Sequence, residues 1–253
     1  RMNEAHPDSQ WLDDALMEIA WKRFQVKSGD VAADLFDQML WEHPGSAFAP
    51  AANFALGAIY YGRGDYGESV KYYSRAGKTT PNPSMALEAG LKEGETHLRL
   101  KEYASAVKQF HALRERAAGS PREDEVAFWL GEALFYSGFS NPSYYLEASS
   151  AYNMVSEESE RYDDALYGLS WSSYKQGKWG EAARYFERIV EGMRGSVLRP
   201  DSLYRLAESY ANQREYEKSA MTYRRLTAEY PEDPRHDTAR HRLGTLKMKQ
   251  GDL

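Results

Sequence analysis

The chain of 253 residues contains no cysteine. That removes disulfides, thiolate metal sites and a cysteine nucleophile, and it suits a reducing or an oxidising compartment equally. No apolar run approaches the roughly 18 residues of a membrane-spanning helix, and no stretch reads as a secretory leader. The chain opens on Arg1 and stops abruptly at Gly251-Asp252-Leu253, so a fragment is expected and a missing leader says little about compartment. No serine sits in a G-x-S-x-G elbow and no Ser/His/Asp set emerges, so catalysis is not expected. The histidines at 6, 43, 97, 111, 236 and 241 form no metal pair at helical spacing; His236 and His241, five apart, fall on different helix faces. Neither a metal nor a cofactor is expected. Proline disqualifies both N-P-S triplets, 82–84 and 141–143, as glycosylation acceptors. A net charge of −6 argues against nucleic acid, whose binding relies on Lys and Arg neutralising phosphates.

What is present repeats. "YGRGDYGESVKYY" (61–73) aligns with "YKQGKWGEAARYF" (174–186), and "HLRLKEYASAVKQF" (97–110) and "ANQREYEKSAMTYRRL" (211–226) follow the same pattern. Each has a Gly-or-polar turn, an aromatic, a small residue three later and an aromatic four beyond that. Turn anchors fall at Gly64, Lys101, Gly177, Arg214 and Gly251; the steps 64→101, 177→214 and 214→251 are equal, and 101→177 holds one further repeat with about five extra residues in its turn. A degenerate copy precedes them at 15–40. "AANFALGAIYY" (51–61) and "DSLYRLAESYA" (201–211) carry apolar residues at helical spacing, and no segment alternates with period two, so each unit reads as two helices. Pro81 and Pro231 stop the second helix of their units. Ser120-Pro121-Arg122-Glu123 reads as a capping box that starts another.

"GRGDYG" (62–67) matches both the G-x-G-x-x-G nucleotide fingerprint and the R-G-D adhesion tripeptide. The fingerprint needs a preceding strand, and a helical pattern stands there instead. Equivalent turns read "LKEY", "QGKW" and "QREY", so the glycines are dispensable to any phosphate. Gly64 is expected in the left-handed conformation that closes one helix, with Asp65 capping the next.

Leu56-Gly57-Ala58-Ile59-Tyr60, the Gly64-Asp65-Tyr66 turn, Ser69, Tyr73 and Pro81 resemble the tetratricopeptide repeat (TPR) pattern, as do Leu206-Ala207, Tyr210, Ser219, Tyr223, Leu226 and Pro231. Departures are Glu93 for an apolar residue, His97 for Tyr and Ser173 for an aromatic. The resemblance implies an all-α, right-handed superhelical solenoid of antiparallel helix pairs, about six full repeats plus one further helix. Residues 1–11 would be a tail and 12–253 a single solenoid. Its repeats would span about 12–46, 47–83, 84–121, 122–162, 163–199 and 200–235, with a partial one at 236–253. Leu56, Leu130, Leu169, Leu206 and Leu243 are expected in the core.

In this family the first helix of each unit lines a concave groove. Carried over position by position, that implies Glu88, Glu125, Asp164 and Asp201 at one groove level, and Glu95, Glu132, Trp171 and Glu208 at another. Between them run Leu91 and Leu98, Phe128 and Phe135, Tyr167 and Tyr174, then Tyr204; earlier units add Phe54 and Tyr61, then Met17, Trp21 and Phe24. Lys175 and Arg99 are basic exceptions. The implied partner-binding residues are Phe54, Tyr61, Glu95, Phe128, Glu132, Phe135, Tyr167, Trp171, Tyr174, Tyr204 and Glu208, and the implied ligand is a protein, peptide or helix with apolar anchors and basic residues between them. The competing reading is that the rings only pack against the next repeat and the acids form a solvated face. The insertion "GFSNPSYYLE" (138–147) reads as a protruding loop. On the last helix Leu243, Leu246 and Met248 read as exposed, a face for homo-dimerisation.

Three functions fit. The preferred one is a non-catalytic protein-interaction scaffold. Because "EYPEDPRHDTARHRLGTLKMKQGD" (229–252) is similar in style to bacterial envelope TPR proteins of the Tol–Pal-associated and outer-membrane assembly lipoprotein groups, it implies a periplasmic or outer-membrane-associated, hence membrane-associated, setting; a cytoplasmic one is the alternative. The second is a regulatory or substrate-docking arm of a larger enzyme. The third is a glycan groove with Trp171 and Tyr167 as stacking faces.

Overall fold

The computed structural model describes residues 12–26, 29–193 and 195–250, with side chains as far as 246. Among the described residues there are helices and turns and no strand. The chain divides into two compact units, Arg1–Ser120 and Pro121–Leu253. In the first, α1 (Leu12–Gln25) pairs with α2 (Gly29–Glu42), α3 (Ala49–Arg63) with α4 (Tyr66–Thr79), and α5 (Pro83–Arg99) with α6 (Tyr103–Ala117). In the second, α7 (Glu123–Ser137) pairs with α8 (Tyr144–Tyr152), α9 (Tyr162–Lys175) with α10 (Trp179–Gly192), and α11 (Arg199–Asn212) with α12 (Tyr216–Glu229), followed by α13 (His236–Gln250). Within each unit every hairpin stacks on the next.

The elbows explain the spacing seen in the sequence. Gly64 (φ 85°), Lys101 (φ 60°), Gly177 (φ 72°) and Arg214 (φ 63°) all adopt the left-handed conformation that turns one helix into the next. The Gly64 amide donates to Tyr61 O at 3.0 Å and the Asp65 amide to Tyr60 O at 2.9 Å, satisfying carbonyls that the end of α3 leaves open. Lys101 and Arg214 repeat this arrangement without glycine. "GRGDYG" is thus a helix-to-helix elbow. Asp65 stands at the N-cap of α4, but its side chain makes no capping bond. Gly251 lies outside the described residues.

Three hairpins close where a first-helix backbone meets a second-helix ring. A methyl group placed on Gly57 would come within 2.7 Å of Tyr73, on Gly94 within 2.5 Å of Phe110, and on Gly131 within 2.6 Å of Tyr152. The first two pairs are 16 residues apart and the third 21, which places the five-residue insertion in the α7–α8 turn. Ser69 and Ser219 secure the same joint, each donating its hydroxyl to a first-helix carbonyl, Gly57 O at 2.9 Å and Ala207 O at 2.8 Å. Leu56, Leu130, Leu169 and Leu206 are buried as the repeat predicts.

Four local expectations give way. The box at Ser120 does not start α7: the N-cap is Arg122, with no side-chain cap bond, and the Val126 amide opens the helical ladder by donating to Arg122 O at 3.0 Å. The insertion leaves only 138–143 outside helix, since Tyr144 begins α8 and Tyr145 turns into the core. Leu243 is half-buried. Leu246 is buried in the core of the second unit rather than exposed; Met248 lies outside the residues with described side chains.

Candidate functional site

In the second unit two first helices, α9 and α11, are tied to each other by tyrosine and carboxylate. The Tyr167 hydroxyl on α9 donates to Asp201 Oδ2 on α11 at 2.6 Å, and Tyr174 donates to Glu208 Oε2 at 2.9 Å. Burial, reinforced by the neighbouring carboxylates, pushes both phenols up to about 12. Arg205 lies across the same joint. Its guanidinium is 4.5 Å from the centre of the Trp171 ring and bonds Glu208 at 2.7 Å. Arg235 also bonds Asp201. The α9–α11 step is therefore closed by side chains of the protein itself.

One step earlier the same repeat positions hold Phe128, Phe135, Asp164 and Trp171. Neither phenylalanine carries a hydroxyl, and Trp171 replaces the second carboxylate, so both staples are missing. Among the described residues Asp164 has no hydrogen-bond or ion-pair partner, and it is exposed. A cleft of ≈ 440 Å³ opens here between α7 and α9. Phe128, Phe135, Phe139, Tyr167 and Trp171 make its aromatic walls, with Glu132 and Tyr152 deeper and Asp164 and Lys175 charged at its edges. Asp164 and Lys175 are eleven residues apart on α9, about 16 Å along the helix axis.

The interior of the cleft is built rather than incidental. The Tyr152 ring is wedged between Gly131 and Gly168, where added methyl groups would come within 2.6 and 2.4 Å. Its hydroxyl donates to Glu132 Oε1 at 2.6 Å. Burial holds the Glu132 carboxyl above the usual range, while the Tyr152 bond pulls the other way. Phe139, in the insertion, is 61% exposed and meets Phe135 edge-on at 5.7 Å. The Lys175 ammonium lies 5.3 Å from the Phe139 ring centre and 5.7 Å from that of Trp171, a cation–π arrangement, and it has no ion-pair partner among the described residues.

Of the eleven residues expected to form the groove, this cleft gathers Phe128, Glu132, Phe135, Tyr167 and Trp171. Tyr174, Tyr204 and Glu208 belong to the closed α9–α11 region, where Tyr204 is buried with its ring 5.6 Å from that of Tyr223. In the first unit Phe54 meets Tyr73 edge-on at 5.3 Å, Tyr61 accepts from Arg99 Nε at 2.9 Å, and Glu95 pairs with Lys92 at 2.8 Å. Glu125 likewise pairs with Arg122 at 2.7 Å, and Leu91 is fully buried. Repeat register did not reveal Tyr136, Phe139, Tyr152 and Gly168. Phe139 stands in the insertion, outside any repeat position, and Tyr152 is displaced from its expected place by the same five residues.

Tetratricopeptide repeat models match residues 23–83 and 91–138, and a second such model matches 164–191 and 201–233, together more than half of the chain. A search of curated proteins gives no match. Similar solved structures include a tetratricopeptide repeat protein from Parabacteroides merdae, 17% identical over 95% of this chain and 87% of that one, with a TM-score of 0.65. YrrB, described as a TPR protein with an unusual peptide-binding site, is 16% identical over 79% of this chain and 96% of its own, with a TM-score of 0.62. PilW, described as a widely conserved type IV pilus biogenesis factor, is 14% identical over 91% and 99%, also with a TM-score of 0.62. At these identities the likeness is one of fold. Because the repeat matches occur in both units and fall on the hairpins that the backbone builds, the chain belongs to the tetratricopeptide repeat family.

Proposed function

We propose that this protein is a non-catalytic scaffold that receives a partner peptide or helix in the α7–α9 cleft. The observation that carries the reading is the missing pair of staples: the α9–α11 step is tied shut by Tyr167–Asp201 and Tyr174–Glu208, whereas Phe128, Phe135 and Trp171 leave the neighbouring step open and aromatic. Desolvated aromatic surface in a concave site supplies most interface energy, and charge selects the partner. An apolar side chain of the partner fills the ring-lined part, and a basic one meets the unpartnered Asp164. Among the described residues, the other groove-level carboxylates of the second unit, Glu125, Glu132, Asp201 and Glu208, are already held by cations or hydroxyls of the chain, which leaves Asp164 as the selecting charge. YrrB, as a peptide-binding TPR protein, supports the general mode.

The setting we infer is a bacterial envelope assembly, periplasmic or outer-membrane-associated. It is supported by the sequence style of residues 229–252 and by the fold likeness to the pilus biogenesis factor PilW. No helix among the described residues is long and apolar enough to cross a membrane.

Selection from a random peptide library tests the site. The wild-type chain should enrich peptides with an aromatic or aliphatic residue beside Lys or Arg, and Phe135→Ala/Trp171→Ala should lose them. If the double variant, folded by circular dichroism, retained the same peptides with the same affinity, the cleft would not be the site.

A further inference from the structure

A second cleft, of ≈ 480 Å³, lies in the first unit, on the opposite side of α5 from its groove-level residues. Its floor is Ala86, Gly90, Glu93 and His97. Glu88 and Glu95 mark the groove side of the same helix, and two residues of α-helix rotate a side chain by about 200°. The walls come from the second helices on either side, α4 with Ser74, Gly77 and Lys78, and α6 with Ser105, Lys108, Gln109 and Arg116.

Two departures from the repeat pattern create this cleft. Glu93 stands where Leu56, Leu130, Leu169 and Leu206 fill the core of other hairpins, and His97 stands where Tyr60, Leu134 and Tyr210 stand. Gly77 and Ala86 line the trough with small residues, and Gly90 lets α6 pack close, since a methyl group there would come within 2.7 Å of Leu113. The Glu93 carboxylate is occupied from within: Gln109 Nε2 donates to it at 3.0 Å, and Lys78 lies near enough to favour its charge. His97 bonds Glu102 at 2.7 Å. Lys108 and Arg116, eight residues apart and so on one face of α6, have no hydrogen-bond or ion-pair partner among the described residues. In a chain with a net charge of −6, a polar trough bearing two unpaired cations, a third that offsets its one carboxylate, and the Ser105 hydroxyl is suited to a negatively charged guest.

We propose that this cleft is a binding site for a small polyvalent oxyanion, phosphate- or carboxylate-bearing, held by Lys108 and Arg116 with Lys78 at the far wall. Charge-assisted donors on a compact oxyanion are the strong members of their class, and the guanidinium of Arg116 supplies the forked geometry that such groups accept. Because the site is in the first unit, it is independent of the peptide cleft.

Isothermal titration calorimetry at low salt with pyrophosphate and, separately, citrate tests the proposal. At least one should bind the wild-type chain, and which of them binds more tightly identifies the phosphate or carboxylate source. Lys108→Gln/Arg116→Gln, at two exposed positions, should weaken that binding at least ~10-fold. Lys175→Gln in the other cleft should leave it unchanged, which separates a site from general attraction to positive charge. Binding of neither probe, or equal binding by the double variant, overturns the proposal. So does binding of a hexaglutamate peptide when both small probes fail, because that marks a docking surface for acidic protein instead.

Discussion

The Tyr167 hydroxyl lies 2.6 Å from Asp201 Oδ2, while Phe128, at the equivalent place one repeat earlier, has no hydroxyl to offer Asp164. The absent oxygen is one of the two staples that the open cleft lacks. Tyr167→Phe should lower stability by about 1 kcal/mol, the net worth of one hydrogen bond, because Arg235 still holds Asp201. Phe128→Tyr should have little effect on stability, add a hydroxyl facing the α7–α9 step, and reduce capture of the selected peptides. Urea titration checks the first variant and fluorescence anisotropy with a labelled selected peptide the second.

Glu132 gives a pH signature. Burial raises its folded pKa above the ordinary 4.5, so the native state holds this proton more tightly than the unfolded chain does. The stability this confers is present below about 4.5 and is lost as pH rises through the raised value. Glu132→Gln keeps a carbonyl oxygen for the Tyr152 hydroxyl and cannot ionise. Urea midpoints of variant and wild type should therefore lie close together near pH 4 and separate towards neutrality, with the variant the more stable. Parallel curves from pH 4 to 7 would contradict this.

The four elbows share a left-handed backbone, but only two use glycine for it. A side chain in that conformation costs about 1–2 kcal/mol. Gly64→Ala and Gly177→Ala should each destabilise by about 1 kcal/mol, visible as a lower denaturation midpoint. Lys101→Gly and Arg214→Gly should not destabilise, because relief at the elbow offsets the greater freedom that glycine gives the unfolded chain.

Arg199 is 5% exposed and reaches three places in the second unit. Its Nε donates to Val190 O at 2.8 Å, near the end of α10, and its Nη1 bonds Glu229 and the Tyr230 hydroxyl at the end of α12. Arg199→Ala removes all of these and leaves their acceptors behind. A loss of roughly 3 kcal/mol is expected, several times that of truncating an exposed arginine such as Arg184. Guanidinium denaturation of the two variants side by side measures the difference.

Local sequence determined the hairpins. Gly64, Lys101, Gly177 and Arg214 mark elbows, Gly57 and Gly94 mark the places where a ring meets backbone, and the leucines at 56, 130, 169 and 206 mark the core. Each depends on residues within one repeat, where helix period and turn chemistry fix the geometry whatever the rest of the chain does. Which groove residues are taken and which are left was a matter of residues some 34 positions apart. The repeat pattern places Asp164 and Asp201 alike, yet one is exposed without a partner and the other is held by Tyr167 and Arg235. Likewise, Phe139 and Tyr152 entered the cleft through a five-residue insertion that moves them out of register, and Glu93 and His97 read as flaws in the pattern until α4 and α6 close around them as a polar trough. Stacked helical hairpins follow from local periodicity alone. Where those hairpins leave an opening does not, because an opening is set by the partner each side chain finds across a joint.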